Sequence, residues 1–172
     1  RKVALPFRFT RKLVEVNGKV REYHVVEHGG AVAVVPIQDG RITLVRQTRP
    51  AVNEELLEIP AGCLEQGEEP LACAKRELAE ETGWRANTWH ELGWIYQAPG
   101  YSSEVLYLYI ATDLSMGEQD LDDSEDIEVV HLPVEEALAM ARRCELRDAK
   151  TVAALFHLQN WLETHHRARE SS

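Results

Sequence analysis

The sequence predicts an α+β fold or an α/β/α sandwich built on a mixed sheet. Three observations point there. Apolar, β-branched runs punctuated by Asn-Gly and Asp-Gly fill the first third of the chain. A single helical segment interrupts the strands near the middle. Two further helical segments close the chain. Strands on both sides of a mid-chain helix, with helices at the end, have to be stacked in layers to bury their apolar faces.

The elements follow in order. Residues 7–16 read as a strand, Asn17-Gly18 as a type I′ hairpin turn, and residues 19–27 as the returning strand. Residues 31–37 form an unbroken apolar run, suited to a strand buried on both faces. Asp39-Gly40 turns the chain again into a strand over 41–47, and residues 56–60 make a short strand entering the turn at Gly62. The helix is predicted over 69–82. Pro70 suits its first turn and Gly83 the position just past its end. Residues 89–96 and 105–111 read as strands, 113–126 as a long acidic loop, and 127–132 as a strand. Helices follow over 134–143 and 149–164, with Asp148 in an N-cap position. In the last helix Val152, Leu155, Phe156, Gln159 and Leu162 recur at helical spacing and read as a core stripe.

A chain of 172 residues is enough for one domain with a substantial core. Residues 1–30 are expected to form an N-terminal β-strand region and residues 31–172 the main domain. No apolar run approaches the roughly 20 residues of a membrane span. Residues 1–10 lack the apolar stretch of a signal peptide. Three cysteines without a C-x-x-C pair read as unpaired thiols in a reducing, cytoplasmic setting. The formal net charge of −10 argues against a nucleic-acid backbone as partner. An acidic protein can still bind a small anion if divalent cations screen its own carboxylates.

The chemistry concentrates between Gly62 and Trp84. Glu77, Glu80 and Glu81 are spaced i, i+3, i+4 and share one helix face. Leu71, Ala74 and Leu78 lie about a quarter-turn away, on a face that can dock on the sheet. Three neighbouring carboxylates repel one another, and those nearest the helix C-terminus oppose its dipole. As hard oxygen ligands for Mg²⁺ or Mn²⁺ they make physical sense, because metal charge reverses the repulsion. The whole pattern, glycines and arginine included, is expected by chance in roughly one window in 10⁹ at average usage.

That pattern resembles the Nudix box, G-x5-E-x7-R-E-U-x-E-E-x-G-U with U apolar, and the sequence matches every fixed position. The resemblance implies a Nudix fold, an α/β/α sandwich with the box as loop–helix–loop, and Mg²⁺-dependent attack of water on a pyrophosphate. It implies that Glu77, Glu80 and Glu81 bind metal, with the carbonyl of Ala61 as a further ligand and Glu80 among the catalytic groups. Arg76 would hold the glutamates in position and Glu68 would bond across the motif. Gly62 and Gly83 would supply turns that a side chain obstructs.

Outside the box, three segments resemble ADP-ribose pyrophosphatases. Pro99 and Gly100 lie in a segment, APGYSSE, like that subfamily's Pro-Gly segment. Residues 45–49 and 57–62 resemble its approach to the box, which makes Arg46, Arg49 and Glu58 candidate substrate-binding residues. Residues 148–155 resemble the start of its C-terminal helix. The resemblance implies a homodimer in which the N-terminal region is exchanged and an aromatic such as Tyr23 stacks on adenine. It also implies a loop carboxylate as general base, with Glu125 first and Asp123 second. The reaction implied is ADP-ribose to AMP and ribose 5-phosphate. GDP-mannose or another nucleotide sugar, or a dinucleotide such as NADH or FAD, is the alternative substrate, and a non-catalytic binding module on the same fold is the alternative of another class.

Overall fold

The computed structural model describes residues 6–119 and 126–170. β1 (Phe7–Val16) and β2 (Lys19–His28) pair antiparallel as a two-stranded sheet of their own. The turn between them has Asn17 at φ 54° and Gly18 at φ 71°, the backbone that an Asn-Gly type I′ turn requires. The main sheet begins with β3 (Ala31–Gln38), β4 (Arg41–Arg49), β5 (Glu54–Glu58) and β6 (Ala61–Cys63). After α1 (Pro70–Thr82) come β7 (Trp84–Tyr96), β8 (Val105–Met116) and β9 (Ile127–Pro133), followed by α2 (Val134–Arg142) and α3 (Ala149–Glu170). The strand order is β5-β4-β3-β8-β7, with β6 also paired to β3 and β9 to β4. β3 and β8 run parallel and their other partners antiparallel, so the sheet is mixed.

Strand β3 explains the layering. Ala31, Ala33 and Val35 face one way and pack with Leu155 and Leu158 of α3 and Ala137 and Leu138 of α2. Val32 and Val34 face the other way and pack with Cys73, Ala74 and Leu78 of α1. A strand covered by helices on both sides has no polar face, which is why its sequence does not alternate.

The structure corrects the sequence reading in three places. Residues 113–116 are strand, and β8 pairs as far as Met116 opposite Trp84, so β7 also starts earlier than residue 89. Asp113 takes a left-handed backbone at φ 55°, an irregularity that in sequence reads as the start of a loop. On α1, Leu71 is 38% exposed and Cys73 is fully buried, so the docking face is Cys73, Ala74 and Leu78. A free thiol behaves here as a small hydrophobe. On α3, Phe156 is 73% exposed while Ala154, Leu155 and Leu158 are fully buried. Leu155→Ala is accordingly expected to cost about 2–5 kcal/mol in urea denaturation. Phe156→Ala is expected to change stability by no more than about 0.5 kcal/mol.

Candidate active site

The short strand β6 lies directly against α1. A Cβ placed on Gly62 would stand 1.9 Å from the Glu77 carboxyl carbon and 2.1 and 2.3 Å from its oxygens. A side chain at residue 62 would therefore have to displace the Glu77 carboxylate, whereas the backbone angles there do not call for glycine. Gly83 is demanded by conformation. It ends α1 at φ 77°, with its N–H bonded to the carbonyl of Ala79, and a Cβ there would meet the Gly117 carbonyl at 2.9 Å.

Glu77 and Glu81 lie within the buried face of α1 and Glu80 at its edge. Burial costs a carboxylate dearly unless its charge is met. Arg76 meets much of it. Its Nη1 donates to Glu77 at 2.7 Å and to Glu80 at 3.0 Å, while Nε and Nη2 both donate to Glu68 at 2.9 Å. Its Nη2 also reaches the Cys63 carbonyl at 3.2 Å. Glu68 in turn accepts from the Glu65 N–H at 2.9 Å, closing the loop before α1. Glu81 accepts from the Ala61 N–H at 3.2 Å. One arginine thus ties three box carboxylates to the loop.

Beside this cluster opens a cleft of about 380 Å³. Its walls include Ala61, Gly62 and Cys63 from β6, Arg49 and Glu58 from the β4–β5 pair, and Gln97 and Glu104 flanking the Pro-Gly turn. Asp148 and Lys150, at the start of α3, complete it. Glu58 is only 1% exposed. Arg49 grips it through Nε at 2.8 Å and Nη2 at 2.7 Å, and the Lys150 ammonium stands 2.6 Å from it. Burial pushes the Glu58 carboxyl up, but the bonds from Arg49 and the charge of Lys150 outweigh it and hold it below its ordinary value. A larger concavity of about 590 Å³ lies on the β1–β2 hairpin. It is lined by Phe9, Thr10, Arg11, His24, Val25 and Val26, without a carboxylate. The cleft, and not this concavity, adjoins the box carboxylates Glu77 and Glu81.

The other sequence-predicted residues are distributed unevenly. Arg46 is tied to Glu128 at 2.8 Å and Glu55 at 3.6 Å and is not part of the cleft wall. Tyr23 is 44% exposed on β2, opposite Lys12, and also stands outside the cleft wall of its own chain. Pro99 and Gly100 form an exposed turn. Just beyond them, Tyr101 and Ser103 exchange backbone bonds with Val26 at 2.7 and 3.0 Å, so the turn holds the hairpin. The strand end leading to the acidic segment is anchored to the box. Gly117 N–H and Arg85 both donate to the Gly83 carbonyl, at 2.8 and 2.7 Å, and Gln119 donates to the Glu81 carbonyl. Glu125 and Asp123 lie outside the described residues. Sequence reasoning missed Lys150, Asp148, Gln97 and Glu104 as cleft residues. For Lys150 a signal existed, because a cation in the first turn of a helix opposes the helix dipole.

Among the described residues, no three acidic, cysteine or histidine groups stand ready as a coordination cage, because Arg76 sits between Glu77 and Glu80. The donor set nevertheless fits a hard divalent cation. It consists of carboxylates from adjacent turns of one helix, converging on a shared positive centre beside a cleft.

The Arg76 bonds, followed by the Glu65 N–H, hold the Glu68 carboxyl down at about 2 against an ordinary value of 4.5. A depressed carboxyl stabilises the fold above its unfolded value, and that contribution is lost as pH falls through the folded value. Glu68→Gln should therefore be less stable than the parent above pH 4.5, by on the order of 1 kcal/mol after solvent screening. The gap should close between pH 4.5 and 2 in chemical denaturation series.

A profile of the NUDIX domain matches residues 27–155. The chain is 41% identical to the ADP-ribose pyrophosphatase of Bacillus subtilis over 146 residues, which is 83% of this chain and 79% of that protein. It is 37% identical to the GDP-mannose pyrophosphatase of Cronobacter sakazakii over 164 residues, 90% of this chain and 85% of that one. The crystal structure of an ADP compounds hydrolase superposes with a TM-score of 0.79 at 26% identity, covering 97% of this chain and 100% of that chain. The profile covers most of the chain and contains the whole box, and with these matches the chain belongs to the NUDIX family.

Proposed function

We propose that this protein is a pyrophosphohydrolase that uses Mg²⁺, with Mn²⁺ as a substitute, to split ADP-ribose into AMP and ribose 5-phosphate. The observation that carries the reading is that Gly62 and Ala61, which the Glu77 and Glu81 carboxylates abut, stand in the wall of a cleft that contains Arg49. One side of the site suits a cation and the other suits phosphate oxygens. The similarity to an ADP-ribose pyrophosphatase and to an ADP compounds hydrolase supports the choice of nucleotide.

A divalent cation, when bound by Glu77, Glu80 and Glu81 with the Ala61 carbonyl, supplies charge neutralisation for the diphosphate and a more acidic water. The protein does the rest. Two edges of the Arg49 guanidinium differ in use. Nε and Nη2 are taken by Glu58, which fixes the plane and leaves Nη1 for a phosphate oxygen. Arg76 holds Glu77 and Glu80 in place. A carboxylate of the acidic segment, Glu125 or else Asp123, takes the proton from water as it attacks phosphorus. The P–O bond to the bridging oxygen breaks, and the two phosphate monoesters leave.

The reading extends to assembly. Residues 1–30 act as a separate β-region exchanged between two copies, with residues 31–172 as the hydrolase domain. Phe9, Leu13 and Val20 on the hairpin are 81%, 69% and 69% exposed, an apolar surface suited to a second copy. Tyr23, outside the cleft of its own chain, then stacks on adenine in the partner. Arg46 has a substrate role only if binding breaks its pair with Glu128. The setting proposed is cytoplasmic, without nucleic acid or membrane as partner. No helix among the described residues is long and apolar enough to cross a membrane.

GDP-mannose is the second reading, favoured by the similarity to a GDP-mannose pyrophosphatase over most of the chain. The test is release of nucleoside monophosphate from ADP-ribose, GDP-mannose and NADH with Mg²⁺, with and without EDTA. AMP release from ADP-ribose should be fastest and abolished by EDTA, and Glu81→Gln should lower kcat by roughly 100-fold or more. Faster cleavage of GDP-mannose would move the assignment to that substrate. EDTA-insensitive turnover would overturn the metal requirement, and absent turnover of all three would overturn the reading in favour of a binding module.

A further inference from the structure

Lys150 is a cation that helix formation does not ask for. It lies in the first turn of α3, where the helix dipole disfavours positive charge. Only 6% of it is exposed, so it is not there for solubility. Its ammonium donates to Glu58 at 2.6 Å and to Asp148 at 2.9 Å. Asp148 is held in turn by the Thr151 N–H at 3.1 Å. With the two bonds from Arg49 to Glu58, these groups form one chain of alternating charge along the cleft wall, Arg49–Glu58–Lys150–Asp148.

The sum over this chain is zero, and Lys150 is what makes it so. Without Lys150, the Arg49–Glu58 pair is neutral and Asp148 adds an uncompensated negative charge. Glu104 adds another in the same cleft. In a partly buried site of this kind such a charge is poorly screened. With Glu104 counted, these groups sum to −1 with Lys150 and −2 without it, so a diphosphate entering beside Arg49 would meet twice the net negative charge.

We propose that Lys150 is a positioning residue that sets the charge of the substrate cleft, offsetting one of the two negative charges of Glu58 and Asp148 so that Arg49 presents its positive edge to the anionic diphosphate. This rests on reading the cleft as the diphosphate site, and it adds a residue that governs how strongly that site attracts substrate. The charge-balance account makes a prediction of opposite sign for the two neighbours. Removing Lys150 weakens substrate binding. Removing the charge of Asp148, which Asn can replace as a helix cap, strengthens it.

The test is steady-state kinetics on ADP-ribose with Mg²⁺ for the full chain, Lys150→Met, Asp148→Asn and the double variant, at low and moderate salt. Thermal melts of all four accompany it. Lys150→Met should raise KM about tenfold, with kcat falling far less, and most of the difference should persist at moderate salt. Asp148→Asn should lower KM. The double variant should return KM to within about threefold of the parent even where its melting temperature is lowest. A purely structural lysine predicts the reverse, with the double variant worse than either single one in KM and kcat. That result, an unchanged KM in Lys150→Met, or a raised KM in Asp148→Asn overturns the proposal. Asp148→Asn decides the matter where Lys150→Met does not fold. Absence of turnover by the parent chain would instead overturn the reading of the cleft on which the proposal stands.

Discussion

A carboxylate pressed against backbone in a protein interior is tolerated only if its charge is answered, and Glu77 against Gly62 is such a group. Both partners are held by β3. Gly62 pairs with Val32 through the β3–β6 ladder, and α1 docks on Val32 and Val34 through Cys73, Ala74 and Leu78. The central strand thereby fixes the distance between the helix that bears the carboxylates and the strand that carries Ala61, Gly62 and Cys63. The absence of one Cβ is what allows that distance. Arg76 then answers the charge from the side, and Glu68 fixes Arg76.

The same logic of compensated burial recurs across the cleft. Glu58, at the end of β5, is almost fully buried and is met by Arg49 and Lys150 from two different elements. Breaking such a pair on one side leaves an unanswered buried charge, a cost of about 3–5 kcal/mol. α3 is clamped to the same place by the bond from the Ile59 N–H to Thr151 at 3.0 Å. The two ionic clusters therefore flank one cleft, acidic on the α1 side and balanced on the α3 side. This disposition is what a cation-assisted reaction on an anionic substrate needs.

The layered fold was legible because its signals are local. Asn17-Gly18 and Asp39-Gly40 prescribe hairpin backbones, residues 31–37 carry the pattern of a strand covered on both faces, and Pro70 and Gly83 bracket a helix. The box glutamates were legible because their spacing is helical. What sequence could not show is where these elements meet. Leu71 and Cys73 compete for the docking face of α1, and only the packing against β3 selects the smaller side chain. Phe156 sits at core spacing yet points away, because α3 buries the Ala154, Leu155 and Leu158 stripe. Lys150 and Glu58 are far apart in sequence and become partners only through the fold. Arg46 and Arg49 look alike in sequence, yet only Arg49 faces the cleft, while Arg46 is bound across the sheet to Glu128.

The fit between Gly62 and Glu77 is proposed to hold carboxylates for a divalent cation. Calorimetric titration of Mg²⁺ and Mn²⁺ into the parent chain and into Gly62→Ala tests it most directly, with circular dichroism to establish that both are folded. The parent is expected to bind, and folded Gly62→Ala to bind at least about tenfold more weakly, because the new methyl group displaces the Glu77 carboxylate. Equal affinity of the two folded chains, or no binding by either, would contradict it.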